Sequence, residues 1–225
     1  MAPTDNQSEF MRYLAAHPQA EEKLPALTAL SEELNVSVAS LREQLEVARA
    51  LGLVEVKPRT GIRRLAYTFL PAVRRSLDYA MALEETNFQL FADLRKHVET
   101  AYWHEAVAKL TDEDKTRLQS LIEKAWSKLD GYPIQIPHDE HKQLHLTIYC
   151  RLENPFVSGI LEAYWEAYEA IGLNVFTDYN YLREVWGYHQ KMVDSICDGD
   201  HDLGYKALTE HADLLTDLLD QRPIR

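Results

Sequence analysis

The stretch Leu24–Tyr67, LPALTALSEELNVSVASLREQLEVARALGLVEVKPRTGIRRLAY, decides the fold of the first third of the chain. Pro25 suits a first helical turn, and Leu27, Leu30 and Leu34 follow at helical spacing. Asn35-Val36-Ser37 then interrupts, with Ser37 placed to cap a second helix. That second helix carries Leu41, Leu45, Val47 and Ala48 and stops at Gly52. Leu53–Pro58 alternates apolar and polar residues, Arg59-Thr60-Gly61 forms a turn, and Ile62–Tyr67 is a second short run, so the segment is expected to be a β-hairpin. Two short helices and a hairpin with a basic tip are the layout of a winged helix-turn-helix. The second helix would enter the major groove of DNA, while Arg59 to Arg64 reach phosphate or minor groove.

Upstream, SEFMRYLAAH (Ser8–His17) reads as a short amphipathic helix with Phe10, Met11, Leu14 and Ala15 on one side. Downstream of Pro71 the pattern is helical only. The run Tyr79–Leu110 places Leu90, Leu94, Val98 and Ala101 at spacings of three and four. Thr111 with Asp112 and Asp114 opens a helix whose stripe is Leu118, Leu121, Ile122 and Trp126. Pro137 and Pro155 open two further helices, and two more flank Asp198-Gly199-Asp200. The expected fold class is therefore mainly α: a winged helix-turn-helix over residues 1–70, then an all-α bundle of about six helices over 71–225.

The chain of 225 residues has a formal charge of −12, unevenly placed: residues 1–70 hold 8 Lys/Arg against 9 Asp/Glu, leaving 16 against 27 in the remainder. Within this acidic protein, Val56–Leu77 holds Lys57, Arg59, Arg63, Arg64, Arg74 and Arg75 and no acidic residue. This is either a solvated linker or a surface for a polyanion. Cys150 and Cys197 form no short-spaced pair, no signal-peptide layout appears at the N-terminus, and no apolar run approaches a bilayer-spanning length. A cytoplasmic protein with no membrane segment is expected.

His141 and His145 lie four residues apart, so one helix face would carry both imidazoles about 5–6 Å apart. Asp139 is about 120° round the helix from His145, and His138 is about 10 Å along its axis. Alone, this HxxxH pair fits either a metal site or a partly polar helix face. It lacks the glutamate after the first histidine that a zincin protease needs. His189 and His211 flank Gly199 at ten and twelve residues, which brings them to similar heights, about 15 and 18 Å from the turn, if the two helices pair antiparallel. Four histidines on two helical hairpins would then converge. His17, His97 and His201 read as surface or capping residues.

The segment KLPALTALSEELNVSVASLREQLEVARALGLVEVKPRTG, together with FADLRKHVETA, HKQLHLTIYCRLENP, YHQKMVDSICDGD and ALTEHADLL, resembles a GntR-type transcriptional regulator of the FadR subfamily. The resemblance covers nearly the whole chain. It implies a homodimer that binds operator DNA and a helical domain that binds a small effector. In the family's metal-containing members, one Asp and three His hold a divalent ion. His145 and Asn154-Pro155 keep that motif's spacing, His189 and His211 match the later ligands, and His141 stands where the family has Asp. The resemblance implies a metal set of His141, His145, His189 and His211, with Arg95, Tyr102, His104 and Asn154 around the effector.

Exchanging a carboxylate for neutral imidazole leaves the ion its full charge and favours zinc or nickel over harder ions. A small carboxylate effector follows, with Arg95 as its partner; the other role for Arg95 is an intrahelical ion pair. The family often has Arg where this chain has Thr28 and Val38. DNA readout would then rest on Ser37, Ser40 and Arg42, with Lys57, Arg59, Thr60, Gly61 and Arg63 on the wing. Each phosphate interaction that is missing makes the log–log salt slope shallower by about 0.9. Two rival functions remain on sequence grounds. One is a metal-dependent hydrolase with Glu140 or Glu210 as base, and the other is a sensor whose DNA-binding surface has become a protein-interaction module.

Overall fold

The structure, a computed structural model, describes residues 7–19, 23–172 and 178–221, the last seven by their backbone alone. The chain divides into two compact units, Met1–Ala72 and Val73–Arg225.

In the first unit α1 (Glu9–Ala16), α2 (Leu27–Leu34) and α3 (Val38–Ala50) precede a hairpin of β1 (Val54–Lys57) and β2 (Gly61–Arg64). Asn35, left-handed at φ 52°, ends α2, and Ser37 caps α3 by accepting a hydrogen bond from the Ser40 amide at 3.2 Å. The strands pair antiparallel in the register Val54↔Arg64 to Lys57↔Gly61. Arg59 and Gly61 take positive φ, 68° and 88°, and so close the turn between them. Phe10, Leu14, Leu30, Leu41, Leu45, Ala48, Val54 and Ile62 form one core. Val47, expected beside Leu45, is instead 55% exposed, because two residues along a helix rotate it about 200° off that face.

The second unit contains α4 (from Leu70, across the unit boundary, to Leu83), α5 (Asn87–Ala108), α6 (Asp112–Leu129), α7 (His138–Ile148), α8 (Pro155–Ala170), α9 (Tyr179–Asp198) and α10 (His201–Gln221). The run expected as a single helix from Tyr79 to Leu110 breaks between Leu83 and Asn87, so seven helices are described where about six were expected.

The buried face of α5 also differs from expectation. Leu90 and Leu94 are exposed, whereas Phe88, Ala92, Arg95, Glu99, Trp103 and Ala106 are buried. Two charged residues lie on the face that packs inward, and this defeats a reading by hydrophobic spacing. A capping box of Thr111 and Asp114 starts α6. Asn154 caps α8, its Oδ1 accepting from the amides of Phe156 at 3.1 Å and Val157 at 3.4 Å. Gly199, at φ 79°, ends α9 and lets α10 fold back along it. The core joins Trp103 with Leu118, Leu144, Ile148, Trp186, Met192 and Ile196. Among the described residues no helix is long and apolar enough to cross a membrane.

Candidate metal centre and nucleic-acid interface

Helices α7, α9 and α10 bring His141, His145, His189 and His211 together, one ligand atom from each lying within 4.8 Å of all the others. His145 Nε2 is 3.1 Å from His189 Nε2, which is 3.2 Å from His211 Nε2. Two imidazole nitrogens bound tetrahedrally to zinc at 2.0–2.1 Å would stand about 3.3 Å apart, so these separations match the edge of a coordination polyhedron. His145, His189 and His211 are buried, and His141 is packed edge-on against Trp165 at 4.6 Å between ring centroids.

The protonation states point the same way. Burial first, then the neighbouring imidazoles and Arg95, hold His141 and His189 well below the usual histidine range, and burial with Arg95 does the same to His145. His211 is lowered by burial, then by His145 and Arg95, against a smaller opposite pull from Glu99. All four rings are neutral near pH 7. Each has one lone pair and one N–H, so His189 Nε2, facing an Nε2 on either side, can satisfy only one of them. His141 Nε2 and the Nδ1 atoms of His189 and His211 are buried without hydrogen-bond partners. A cation at the centre would take all the inward lone pairs at once, so the donor set fits a divalent ion.

Sequence reasoning missed one member of the site, Glu99. Its Oε2 accepts from Arg95 Nη2 at 2.9 Å, and its Oε1 lies 3.1 Å from His145 Nδ1. Burial pushes the Glu99 carboxyl up while Arg95 pulls it down; for Arg95, burial opposes the charge, but Glu99 together with Tyr164 and Tyr149 outweighs it and the guanidinium titrates higher. Arg95 Nη2 also lies 2.8 Å from His145 Nδ1. The ring nitrogen can donate to Glu99 or accept from Arg95 but not both, and donation to Glu99 turns the Nε2 lone pair to the centre, as a metal needs. The i,i+4 spacing of Arg95 and Glu99 was visible; their burial was not.

Arg95 is therefore at the cluster, and among the described residues no hydrogen bond or ion pair joins the other three expected effector residues to it. Tyr102 Oη accepts from Asn154 Nδ2 at 3.4 Å, and Asn154 is otherwise engaged as the α8 cap. His104, nine residues beyond Arg95 on α5 and thus about 13 Å along its axis, lies on the surface 3.0 Å from Asp202. Neither candidate hydrolytic base reaches the cluster: Glu140 accepts from Lys128 at 2.7 Å, and Glu210 lies 3.8 Å from Lys206. A separate cavity of about 300 Å³ lies outside the cluster, lined by residues that include Arg117, Thr147, Cys150 and Glu162.

In the first unit, Arg42 is exposed on α3 with no ion pair among the described residues, and so is Arg59 at the hairpin tip. Lys57 lies 2.9 Å from Glu55, with Arg63 at 3.9 Å from the same carboxylate. Thr60 Oγ1 donates to the Lys57 carbonyl at 3.3 Å, and Gly61 supplies the turn. Ser37 is spent on the cap, and Ser40 Oγ accepts from Gln44 at 3.3 Å. Arg64 is structural: its guanidinium donates to the carbonyls of Leu14 and His17, tying the wing to the end of α1.

Comparison with known proteins matches residues 91–214 to the FCD domain and residues 13–63 to the bacterial regulatory proteins of the gntR family. The HTH-type transcriptional regulator YcbG of Bacillus subtilis (strain 168) is 24% identical over 199 residues, covering 88% of this chain and 81% of that protein. The HTH-type transcriptional regulator LutR of the same organism is 29% identical over 111 residues, 49% of this chain and 50% of its own. Among solved structures, Streptococcus agalactiae GntR shares the fold with a TM-score of 0.66 at 14% identity, over 92% of this chain and 94% of that one.

Proposed function

The chain belongs to the FCD-domain family of gntR-type transcriptional regulators, and from that premise we propose that its helical unit binds a divalent transition metal and a small carboxylate, which together govern operator binding. The observation that carries this reading is a set of four neutral imidazoles within 4.8 Å, three of them buried, with no carboxylate among them. His141, His145, His189 and His211 would hold the ion, zinc or nickel by the softness of the donors. When bound, the metal supplies a Lewis-acidic anchor for an anion. Glu99 balances Arg95, so a dication held by four neutral rings is left uncompensated in a low-dielectric interior. An anionic ligand completes the charge.

The DNA-binding role rests on α3 and the wing. Arg42 and Arg59 are cations without an ion-pair partner among the described residues, and Lys57, Arg63, Ser37, Ser40, Thr60 and Gly61 border them or shape the surface they stand on. Two copies of the chain would read successive half-sites of a palindromic operator. Effector and operator then influence each other's affinity by the same factor. Family membership makes the chain a regulator rather than an enzyme.

The test is metal analysis of the purified protein, followed by operator titration with and without a panel of short carboxylates. Metal at one ion per chain and a carboxylate-dependent change in operator affinity are the expected results. Operator selection that enriches no sequence at low salt would reject the DNA-binding part, and a metal-free protein that takes up no zinc would reject the sensing part.

A further inference from the structure

We propose that Trp165 acts with Arg95 as an effector-binding residue, their Nε1–H and Nε–H groups forming an oxyanion seat beside the four histidines. The inference rests on the anionic-effector reading above and adds a residue that neither sequence pattern nor comparison assigns.

Arg95 is 3% exposed and Trp165 fully buried. Arg95 Nε and Trp165 Nε1 nevertheless have no hydrogen-bond acceptor. Both groups can only donate, so neither a tautomer change nor an amide flip relieves them, as it could for the imidazoles. Buried donors are almost always paired, and two unpaired ones on neighbouring side chains point to an acceptor. The Arg95 Cζ lies over the Trp165 ring, 5.6 Å from its centre, so the two donors belong to neighbouring side chains. Trp165 in turn packs 4.6 Å from His141 and 5.4 Å from His145, measured between ring centroids. The seat therefore borders the proposed metal position.

The direction of approach follows from what is taken. Glu99 and His145 engage Arg95 Nη2, while the Nε–H keeps no acceptor and is the donor a ligand would take. Tyr164 stacks under the guanidinium at 4.6 Å, and Tyr168 lies 5.4 Å from Trp165, so the walls are aromatic. A short monocarboxylate with a small apolar remainder suits them. Water would satisfy the two donors and leave the metal's charge uncompensated, which makes it the rival occupant.

The experiment uses the full-length, zinc-loaded, ¹⁵N-labelled protein titrated with acetate, propionate and succinate against a chloride control. The expected result is that one of the four indole N–H resonances moves downfield as the carboxylate saturates. Calorimetry on Trp165→Phe, which keeps the ring and removes the donor, should show carboxylate affinity reduced about 10- to 100-fold with zinc stoichiometry unchanged. Trp126→Phe, which loses only a bond to Gln190, should bind as the wild type does. Carboxylate binding to the wild type with no indole resonance displaced overturns the proposal and leaves the anionic-effector reading standing; the resonance result holds even if Trp165→Phe does not fold. Absence of any carboxylate binding to the zinc-loaded wild type overturns both.

Discussion

His189 Nε2 faces His211 Nε2 at 3.2 Å inside the helical unit, two neutral rings on the antiparallel pair α9 and α10. Between them only one proton can be shared, while His145 Nε2 presses on His189 from the other side at 3.1 Å. Metal should therefore stabilise this unit strongly. Zinc at one hundred times its dissociation constant adds about 2.7 kcal/mol, read as a rise in melting temperature that EDTA reverses. His189→Ala and His211→Ala should each abolish the zinc-dependent shift; a full shift in either variant would place the ion elsewhere.

Glu99→Gln leaves the buried Arg95 charge unbalanced and leaves one neutral acceptor where Arg95 and His145 now each have a carboxylate oxygen. The expected cost is about 3–5 kcal/mol in stability and about 10- to 100-fold in zinc affinity. Arg95→Met combined with Glu99→Gln should regain much of the stability but not the zinc affinity. Chemical denaturation and competitive zinc titration separate the two effects.

The metal-free protein should lose stability on mild acidification. The four histidines titrate well below their unfolded value of 6.5 because burial disfavours their charge, so below pH 6.5 the unfolded chain binds protons that the folded chain does not. Their contribution is complete above pH 6.5 and falls as the pH drops, by up to about 1.4 kcal/mol per unit for each ring. Melting temperatures of the EDTA-treated protein between pH 7.5 and 5 would show it. A flat profile would mean that the rings are not buried together.

His141→Asp places a carboxylate among three imidazoles. It should move selectivity towards harder ions, seen as better competition by manganese against zinc, and weaken carboxylate binding by neutralising part of the ion's charge. Unchanged metal preference would show that residue 141 does not ligate.

On the DNA side, Arg42→Ala and Arg59→Ala should weaken operator binding more than Lys57→Ala. Lys57 already has Glu55 at 2.9 Å, whereas the two arginines have no ion-pair partner among the described residues. An arginine that neutralises a phosphate should, when removed, make the log–log salt slope shallower by about 0.9, and one that reads a base should instead relax sequence preference. Fluorescence anisotropy at several salt concentrations distinguishes the two.

Much of the architecture was legible in the residue pattern because its signals are local. Ser37 as a cap, Gly52 as a stop and Arg59-Thr60-Gly61 as a turn depend on backbone chemistry within a few residues, and the winged helix-turn-helix follows from their order. His189 and His211 could be paired across Gly199 by counting rise per residue. The burial of Arg95 and the part played by Glu99 could not be read, because an arginine and a glutamate four apart look like a solvent-exposed ion pair on any helix. Leu90 and Leu94 misled for the same reason, reading as the inner stripe of α5 when they lie outside.

By itself, then, the sequence determined the order of elements, their caps and turns, and the four histidines that could meet. Only the tertiary structure decided which side of α5 turns inward. That choice depends on what α7, α8 and α10 present to it: His145, Trp165 and His211 offer hydrogen-bonding and ring partners that make burying an Arg–Glu pair tolerable, and leucines cannot use them. The same choice sets Arg95 and Trp165 beside the histidines and leaves His104 on the surface.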